Sequence, residues 1–526
     1  MSTQLIEMNI SGSQALAYGA AQAGVNLVTG YPGSPVTAAF EAFEKLADDP
    51  RRTFWAINEK SAADLALGVS LAGGRALLCV KSPGFNVALD TLMVANLAPG
   101  DGGLVILAGD DPGGWGSQSE EDTRPLVQAL EIPMLEPPTV QAAYSLMTQA
   151  FDLSEKFNLP VVVRVIHALT LDTGMISVPA QLPHPHYPAP FARKKDRWTV
   201  LPVQVVPLHR QLQQKMCAAD GELTGWEQLQ QTGMLRKGVI AAGYAWSKLH
   251  RVLQSGADLS LPVLGLEVLN PLAAEHISAF LAGLDEVLVI EETAPVIETS
   301  VRSIAQQNCL PLTVSGRMSG HLPGVGELDT AAIASALRRM LPDWPDPEIK
   351  PEHRSMISRK SLCEGCPYIP VYDALKELME QHGGRDRYVV TGETGCLVRG
   401  QLPPWEMLDV KYSMGSSIGI ASGMQKAGIP HQPVVLSGDS AFLHNGLGEL
   451  IDAVRSGRDL LVIILDNNVT ALTGGQPHPA TQQVSSRGPS TQVNLESLIR
   501  AAGVEWLHLV DPCDEVQLKS ALEEGL

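Results

Sequence analysis

PVVLSGDS (433–440) and LLVIILDNNV (460–469) decide the reading of this chain. Each is an aliphatic, largely β-branched run of strand length that stops abruptly at Gly, Asp, Asn or Ser, with 26 residues between Ser440 and Asn467. Open α/β sheets bind ligands beyond the carboxyl ends of their parallel strands, where both motifs fall. An Asp439 oxygen, the Asn467 amide oxygen and the Val469 carbonyl are three hard donors, leaving octahedral positions for phosphate oxygens and water around Mg²⁺. Gly438 lets the backbone approach closely, and Ser440 follows the metal ligand. MGSSIGIASG (414–423), through Gly415 and Ser416, can turn helix N-terminal amides towards a diphosphate. Either motif alone reads as an ordinary turn after a strand, since these residue types dominate turns. The pair at this spacing points to cofactor binding.

The same alternation runs outward along the chain. GLVILAG (103–109) and PVVVRVI (160–166) alternate with Ala/Leu-rich helical stretches over residues 1–180, an α/β domain with a parallel sheet. ISVPAQLPHPHYPAPFAR (176–193) is Pro-rich and opens a linker and helical segment over 181–235, the helix expected at VVPLHRQLQQKM (205–216). A second α/β unit spans 236–345, from KGVIAAGYAW to beyond EVLVIEE (286–292), and a third spans 358–526. The chain has 526 residues, 45% hydrophobic and 18% charged, which suits several packed domains rather than one core or a disordered chain. A net charge of −19 argues against nucleic acid or an anionic membrane surface as partner. No run reaches the ~18 apolar residues of a membrane span, and the first residues do not read as a signal peptide. A cytoplasmic protein is expected. Seven cysteines are an odd number for a disulfide framework, and only Cys363 and Cys366 have metal-type spacing.

The GDS and DNN pair resembles the thiamine diphosphate signature. That cofactor needs a carboxylate from another domain to hydrogen-bond its pyrimidine ring, and WAINE (55–59) reads as a strand delivering Glu59 to the start of a helix. Burial there would favour the protonated acid and suit proton exchange with a ring nitrogen. A helix-start acid favoured by the macrodipole is the plainer reading of Glu59.

YPGSPVT (31–37), NEKSAADLALG (58–68), GDDPGGWGSQSEEDTR (109–124), LCEGCPYIPVY (362–372), GETGC (392–396) and the two diphosphate motifs together resemble the large subunit of indolepyruvate ferredoxin oxidoreductase over nearly the whole chain. The resemblance implies a multidomain thiamine diphosphate-binding α/β fold, with parallel sheets flanked by helices and a transketolase-C-like domain at 236–345. It implies oxidative decarboxylation of a 2-oxo acid, an aryl pyruvate such as indolepyruvate, to an acyl-CoA, with electrons passing to ferredoxin. A separate smaller subunit, an oligomeric assembly and Mg²⁺ are implied too. In that scheme Glu59 activates the cofactor, while Tyr31, Pro32, Gly33 and Ser34 form a loop beside cofactor and substrate. Gln118 and Arg124 wall the substrate, Arg124 able to hold a carboxylate bidentately. His444 is a candidate for proton handling, although a lone His is more often a structural hydrogen bonder. Cys363, Cys366 and Cys396 match positions that hold a [4Fe–4S] cluster in the wider family, one thiolate short of four.

Two departures bear on this expectation. The ferredoxin-like domain with repeated CxxCxxCxxxCP runs has no counterpart in the chain, which suggests a truncated or split polypeptide, or loss of ferredoxin coupling. The resembling family carries a His near Ser82, in a motif reading KSPGFN (81–86) here, which leaves the aryl preference open. A non-oxidative thiamine-dependent decarboxylase or carboligase is the alternative enzyme reading. A cofactor-binding assembly subunit without activity is the alternative outside catalysis, and an intact Glu59, Asp439 and Asn467 weigh against it.

Overall fold

The computed structural model describes residues 5–185, 191, 193, 195–220, 226–229, 235–254, 261–344, 361–481 and 491–526. Residues 186–190, 192, 194, 221–225 and 230–234 of the expected 181–235 segment, and residues 345–360, therefore lie outside the described residues. The chain divides into two compact units, Met1–Arg354 and Ser355–Leu526.

The first unit holds two α/β sheets. In the larger, seven strands run in the order Val268–Asn270, Met134–Leu135, Val161–Ile166, Leu104–Asp110, Ala76–Lys81, Leu27–Gly30 and Thr53–Trp55. All neighbours pair in parallel except Val268–Asn270 with Met134–Leu135. Every residue of Leu104–Asp110 and Val161–Ile166 is buried, as expected of central parallel strands covered by helices on both faces. The second sheet runs Thr313–Ser315, Glu286–Ile290, Lys237–Ala242, Val263–Leu266 and Trp226–Leu229, parallel but for the last pair. One apolar cluster joins the two sheets, with Leu104 and Val162 of the first in the same core as Ile240 and Val289 of the second.

Two details differ from the sequence reading. ISVP (176–179) does not begin a linker; it ends the strand Thr173–Pro179, paired antiparallel with Leu5–Ser11. Proline is tolerated there because it falls at the end of an edge strand. Val268–Asn270, from the stretch expected to form the middle domain, completes the edge of the first sheet. The Gln-rich helix forms at Pro202–Asp220, with Pro207 inside it.

The second unit is built on four parallel strands in the order Val410–Lys411, Tyr388–Gly392, Gln432–Gly438 and Leu461–Leu465. The register pairs Gly438 with Leu465, so both strands end at the same level. The Asp439 and Asn467 motifs are thereby brought side by side.

Candidate active site

In the second unit the two motifs interlock. Asp439, almost fully buried, accepts hydrogen bonds at Oδ1 from the Ser440 amide (2.8 Å) and at Oδ2 from the Asn467 amide (3.1 Å). Asn467 accepts the Val469 amide at Oδ1 (3.1 Å) and donates through Nδ2 to the Tyr368 hydroxyl (2.7 Å), which in turn donates to the Leu465 carbonyl (3.1 Å). Burial, with Asp439 nearby, pushes the Tyr368 phenol up and keeps it a neutral donor. Ser440 Oγ lies 2.9 Å from Thr470 Oγ1. Asp466 is held above the usual carboxylate range by burial and by hydrogen bonding with Asp439. A carboxylate, an amide oxygen and nearby backbone carbonyls are the oxygen donors Mg²⁺ takes, so the residues fit that ion.

The structure adds two residues that sequence reasoning missed. His478 Nε2 lies 3.0 Å from Asp439 Oδ2, both side chains 3% exposed. The chain reaches back because Gly474 and Gly475 adopt left-handed φ of 129° and 86°, closing a turn in which the Thr470 amide donates to the Gln476 carbonyl. A lone His in QPHP gives no sign of that return. The other is Glu393 in GETGC, fully buried, which accepts from Ser417 Oγ (3.2 Å), from Ser437 Oγ and from the amides of Gly415 and Ser417. Burial pushes its carboxyl up to about 7, against those four donors. The amide of Gly415, expected to face phosphate, is thus turned to Glu393. Gly415 itself has φ +73°, and a Cβ there would stand 2.6 Å from Asn445 Cβ, so the turn requires glycine. Ser416 precedes the helix Ser417–Lys426, and His444 is buried in a widened helical turn, Phe442–Gly446.

The three cysteines are neighbours: the Cys366 amide donates to the Cys363 carbonyl (3.0 Å), and both Cys363 and Cys366 act electrostatically on Cys396. Cys363 is exposed, whereas Cys366 and Cys396 pack against the core of the second unit. Burial pushes the Cys396 thiol up, opposed by Arg399. Among the described residues no three His, Cys, Asp or Glu side chains assemble a cation site.

In the first unit the candidates line the carboxyl ends of adjacent strands. Glu59 is the first residue of the helix Glu59–Leu71, capped by Asn58, whose Oδ1 accepts the Ser61 amide (2.9 Å). The glutamate is buried and lies against Gly84. Tyr31 is buried. The Gly33 amide donates to Thr37 Oγ1 (2.7 Å), and Gly33 packs on Lys81, where a Cβ would meet Lys81 Cβ at 2.9 Å. Ser34 is half-buried, and Gln118 is exposed. Lys81 donates to the Gly116 carbonyl (2.7 Å); burial pulls its pKa down, opposed by Asp111.

Arg124 does not face a substrate. It is 2% exposed and spends its donors on Asp122 (2.6 Å), Glu291 (2.6 Å) and the Ala294 carbonyl (2.7 Å). Asp122 would be raised by burial, but the guanidiniums of Arg124 and Arg164 outweigh this and hold it well below the usual carboxylate range. Arg124 is therefore an internal tie between the first sheet and the stretch after strand Glu286–Ile290, and the expected carboxylate clamp is corrected to a buried ion network.

Comparison with known proteins agrees with both halves. The family model "Pyruvate flavodoxin/ferredoxin oxidoreductase, thiamine diP-bdg" matches residues 18–173, and "Thiamine pyrophosphate enzyme, C-terminal TPP binding domain" matches 394–526. With strand ends of this kind in each unit, the chain falls in the class of thiamine diphosphate-dependent oxidoreductases. The indolepyruvate oxidoreductase subunit IorA of Methanothermobacter thermautotrophicus is 31% identical over 98% of this chain and 84% of the relative. That of Archaeoglobus fulgidus is 30% identical over 98% and 83%. The chain belongs to this family of indolepyruvate oxidoreductase IorA subunits. A 2-oxoglutarate:ferredoxin oxidoreductase from Magnetococcus marinus shares the fold, with TM-score 0.51 and 17% identity over 63% of this chain and 65% of that one. No described helix is long and apolar enough to cross a membrane.

Proposed function

We propose that the chain is the large subunit of a cytoplasmic, oligomeric complex that oxidatively decarboxylates a 2-oxo acid, an aryl pyruvate such as indolepyruvate, to its acyl-CoA. A separate smaller subunit and ferredoxin complete the electron path. The observation that carries this reading is the interlocked Asp439 and Asn467 pair at level strand ends, in a chain of this family.

Asp439, Asn467 and the Val469 carbonyl would hold Mg²⁺, with Gly438, Gly415, Ser416 and Ser440 around the diphosphate. When bound, thiamine diphosphate supplies the carbanion chemistry that cleaves the bond between carboxylate and carbonyl. Glu59, buried at a helix start, would hold and return a proton for the pyrimidine ring of the bound cofactor. Tyr31, Pro32 and Gly33 back the cofactor, and Ser34 and Gln118 face the substrate. His444 handles a proton beside the Asp439 motif. Cys363, Cys366 and Cys396 would supply three thiolates to a [4Fe–4S] cluster, one short of four.

The test is an anaerobic assay of the chain with its co-expressed partner, thiamine diphosphate, Mg²⁺, coenzyme A and indolepyruvate, following CO₂ and viologen reduction together. Both signals in step, lost in Asp439→Ala, are expected. CO₂ without reduction would replace this reading by a non-oxidative decarboxylase.

A further inference from the structure

GDDPGGWGSQSEEDTR (109–124) leaves the end of strand Leu104–Asp110 and passes Ser34: a Cβ at Gly116 would lie 3.9 Å from Ser34 Cβ. Sheet residues pin this loop on its inner side. Asp111 Oδ2 accepts the Gly116 amide (2.8 Å) and Ser117 Oγ (2.9 Å), while Lys81 holds the Gly116 carbonyl. Between those anchors, Gly113 and Gly114 both have left-handed φ, 81° and 66°, a backbone with many alternatives unless something fixes it.

Locally the Gly113 amide donates to Glu120 Oε1 (2.8 Å) and the Gly114 amide to the Asp111 carbonyl (2.9 Å), and the tryptophan that follows is held from the second sheet's side of the unit. Trp115 Nε1 donates to Glu327 Oε2 (2.8 Å). The other oxygen, Oε1, accepts from Lys248 Nζ (3.0 Å), and Lys248 is itself buried on Glu292 (2.5 Å) and the Leu328 carbonyl (2.7 Å). Glu327 is thus an acceptor held by Lys248, 212 residues away in sequence from the indole it holds. On its other side the ring stacks at 6.1 Å and 7° over His167, at the end of strand Val161–Ile166.

We propose that Glu327 is a positioning residue for substrate: it fixes the Trp115 indole, and with it the turn carrying Gln118, as the wall against which the side chain of the 2-oxo acid packs. The stretch after the second sheet then sets substrate selectivity. This inference rests on the proposed function for the site beside Ser34. It claims no contact of Glu327 with substrate; the glutamate acts through the tryptophan.

The experiment uses the chain co-purified with its smaller subunit and compares Glu327→Ala, Glu327→Gln and Trp115→Phe. Losing a charge-assisted hydrogen bond that orders the turn should raise KM for phenylpyruvate by ~10-fold or more and cut its kcat/KM relative to pyruvate by a like factor. The kcat at saturation and thiamine diphosphate affinity should stay near wild type. Glu327→Gln keeps an acceptor and should recover most of the selectivity. Trp115→Phe keeps a ring but loses the donor, should fall between, and decides the matter if Glu327→Ala does not fold. Calorimetric binding of phenylpyruvate to the cofactor-free complex reads the same wall without turnover and should weaken in Glu327→Ala and Trp115→Phe. Selectivity and phenylpyruvate binding unchanged in the folded variants would overturn the inference. A wild-type complex that turns over no 2-oxo acid would instead sink the functional reading, and the binding comparison would still judge the wall.

Discussion

Glu59 is seated against the bare backbone of Gly84: a Cβ at position 84 would stand 2.6 Å from Glu59 Cγ and 2.7 Å from Cδ. The glutamate opens one helix and the glycine lies in the first turn of another, Ser82–Ala95, so two helix starts converge on one carboxyl. Gly84→Ala must displace Glu59 or the helix. A cost of about 1–3 kcal/mol is expected from overpacking. Thermal unfolding should show that loss, while thiamine diphosphate still binds and turnover falls as in Glu59→Gln. Full activity in Glu59→Gln would exclude Glu59 from the chemistry.

Asp439 carries the charge of the metal site, and Asn467 meets it through its own amide. Asp439→Ala should weaken thiamine diphosphate–Mg²⁺ binding by ~100-fold, since ligand charge sets affinity for a hard cation. Asn467→Ala should weaken it less. Titration calorimetry with and without EDTA separates the metal's share from that of the diphosphate, and wild-type binding that ignores EDTA would remove the Mg²⁺ assignment.

Arg164 is fully buried between Asp110 (2.7 Å) and Glu136 (2.5 Å). Arg164→Met leaves two carboxylates without their cation, a change that costs about 3–5 kcal/mol. Urea unfolding of the purified complex should show the midpoint falling accordingly, with cofactor affinity in the second unit unmoved.

Glu393 gives a pH dependence with a definite sign. Its carboxyl is raised by burial to about 7 in the folded chain, against about 4.3 for an unperturbed glutamate. Between those values the folded state keeps a proton that the unfolded state has released. Stability therefore falls as pH rises through this window, by up to about 4 kcal/mol, and levels off above it. Glu393→Gln should lose the slope and be the more stable protein at pH 8. Denaturant midpoints from pH 4.5 to 8 check this, and parallel curves for the two proteins would refute it.

What could be read beforehand was whatever is encoded locally. The runs ending at Gly438 and Leu465 announce their strands by composition, and their motifs need only strand adjacency to meet. Arg124 could not be placed in this way: its partner Glu291 is 167 residues distant, and an Arg after acidic residues looks the same whether it meets substrate or core. His478 was passed over because its meeting with Asp439 depends on two glycine φ values that composition leaves open. Glu393 was quoted within GETGC for its cysteine, while the buried group beside it ties three segments together. The Pro-rich signal at 176–193 was real, but the strand used its first residues before the prolines took over.

Val268–Asn270 closes the sheet begun by the first third of the chain, against Met134–Leu135. The two sheets of the first unit are consequently a single inheritance. A gene fragment ended near residue 180 would present a raw hydrogen-bonding edge where the later strand belongs, an invitation to self-pairing. An exchangeable block would have to run through the whole first unit, to about residue 354, even though the family-model match to it stops at 173.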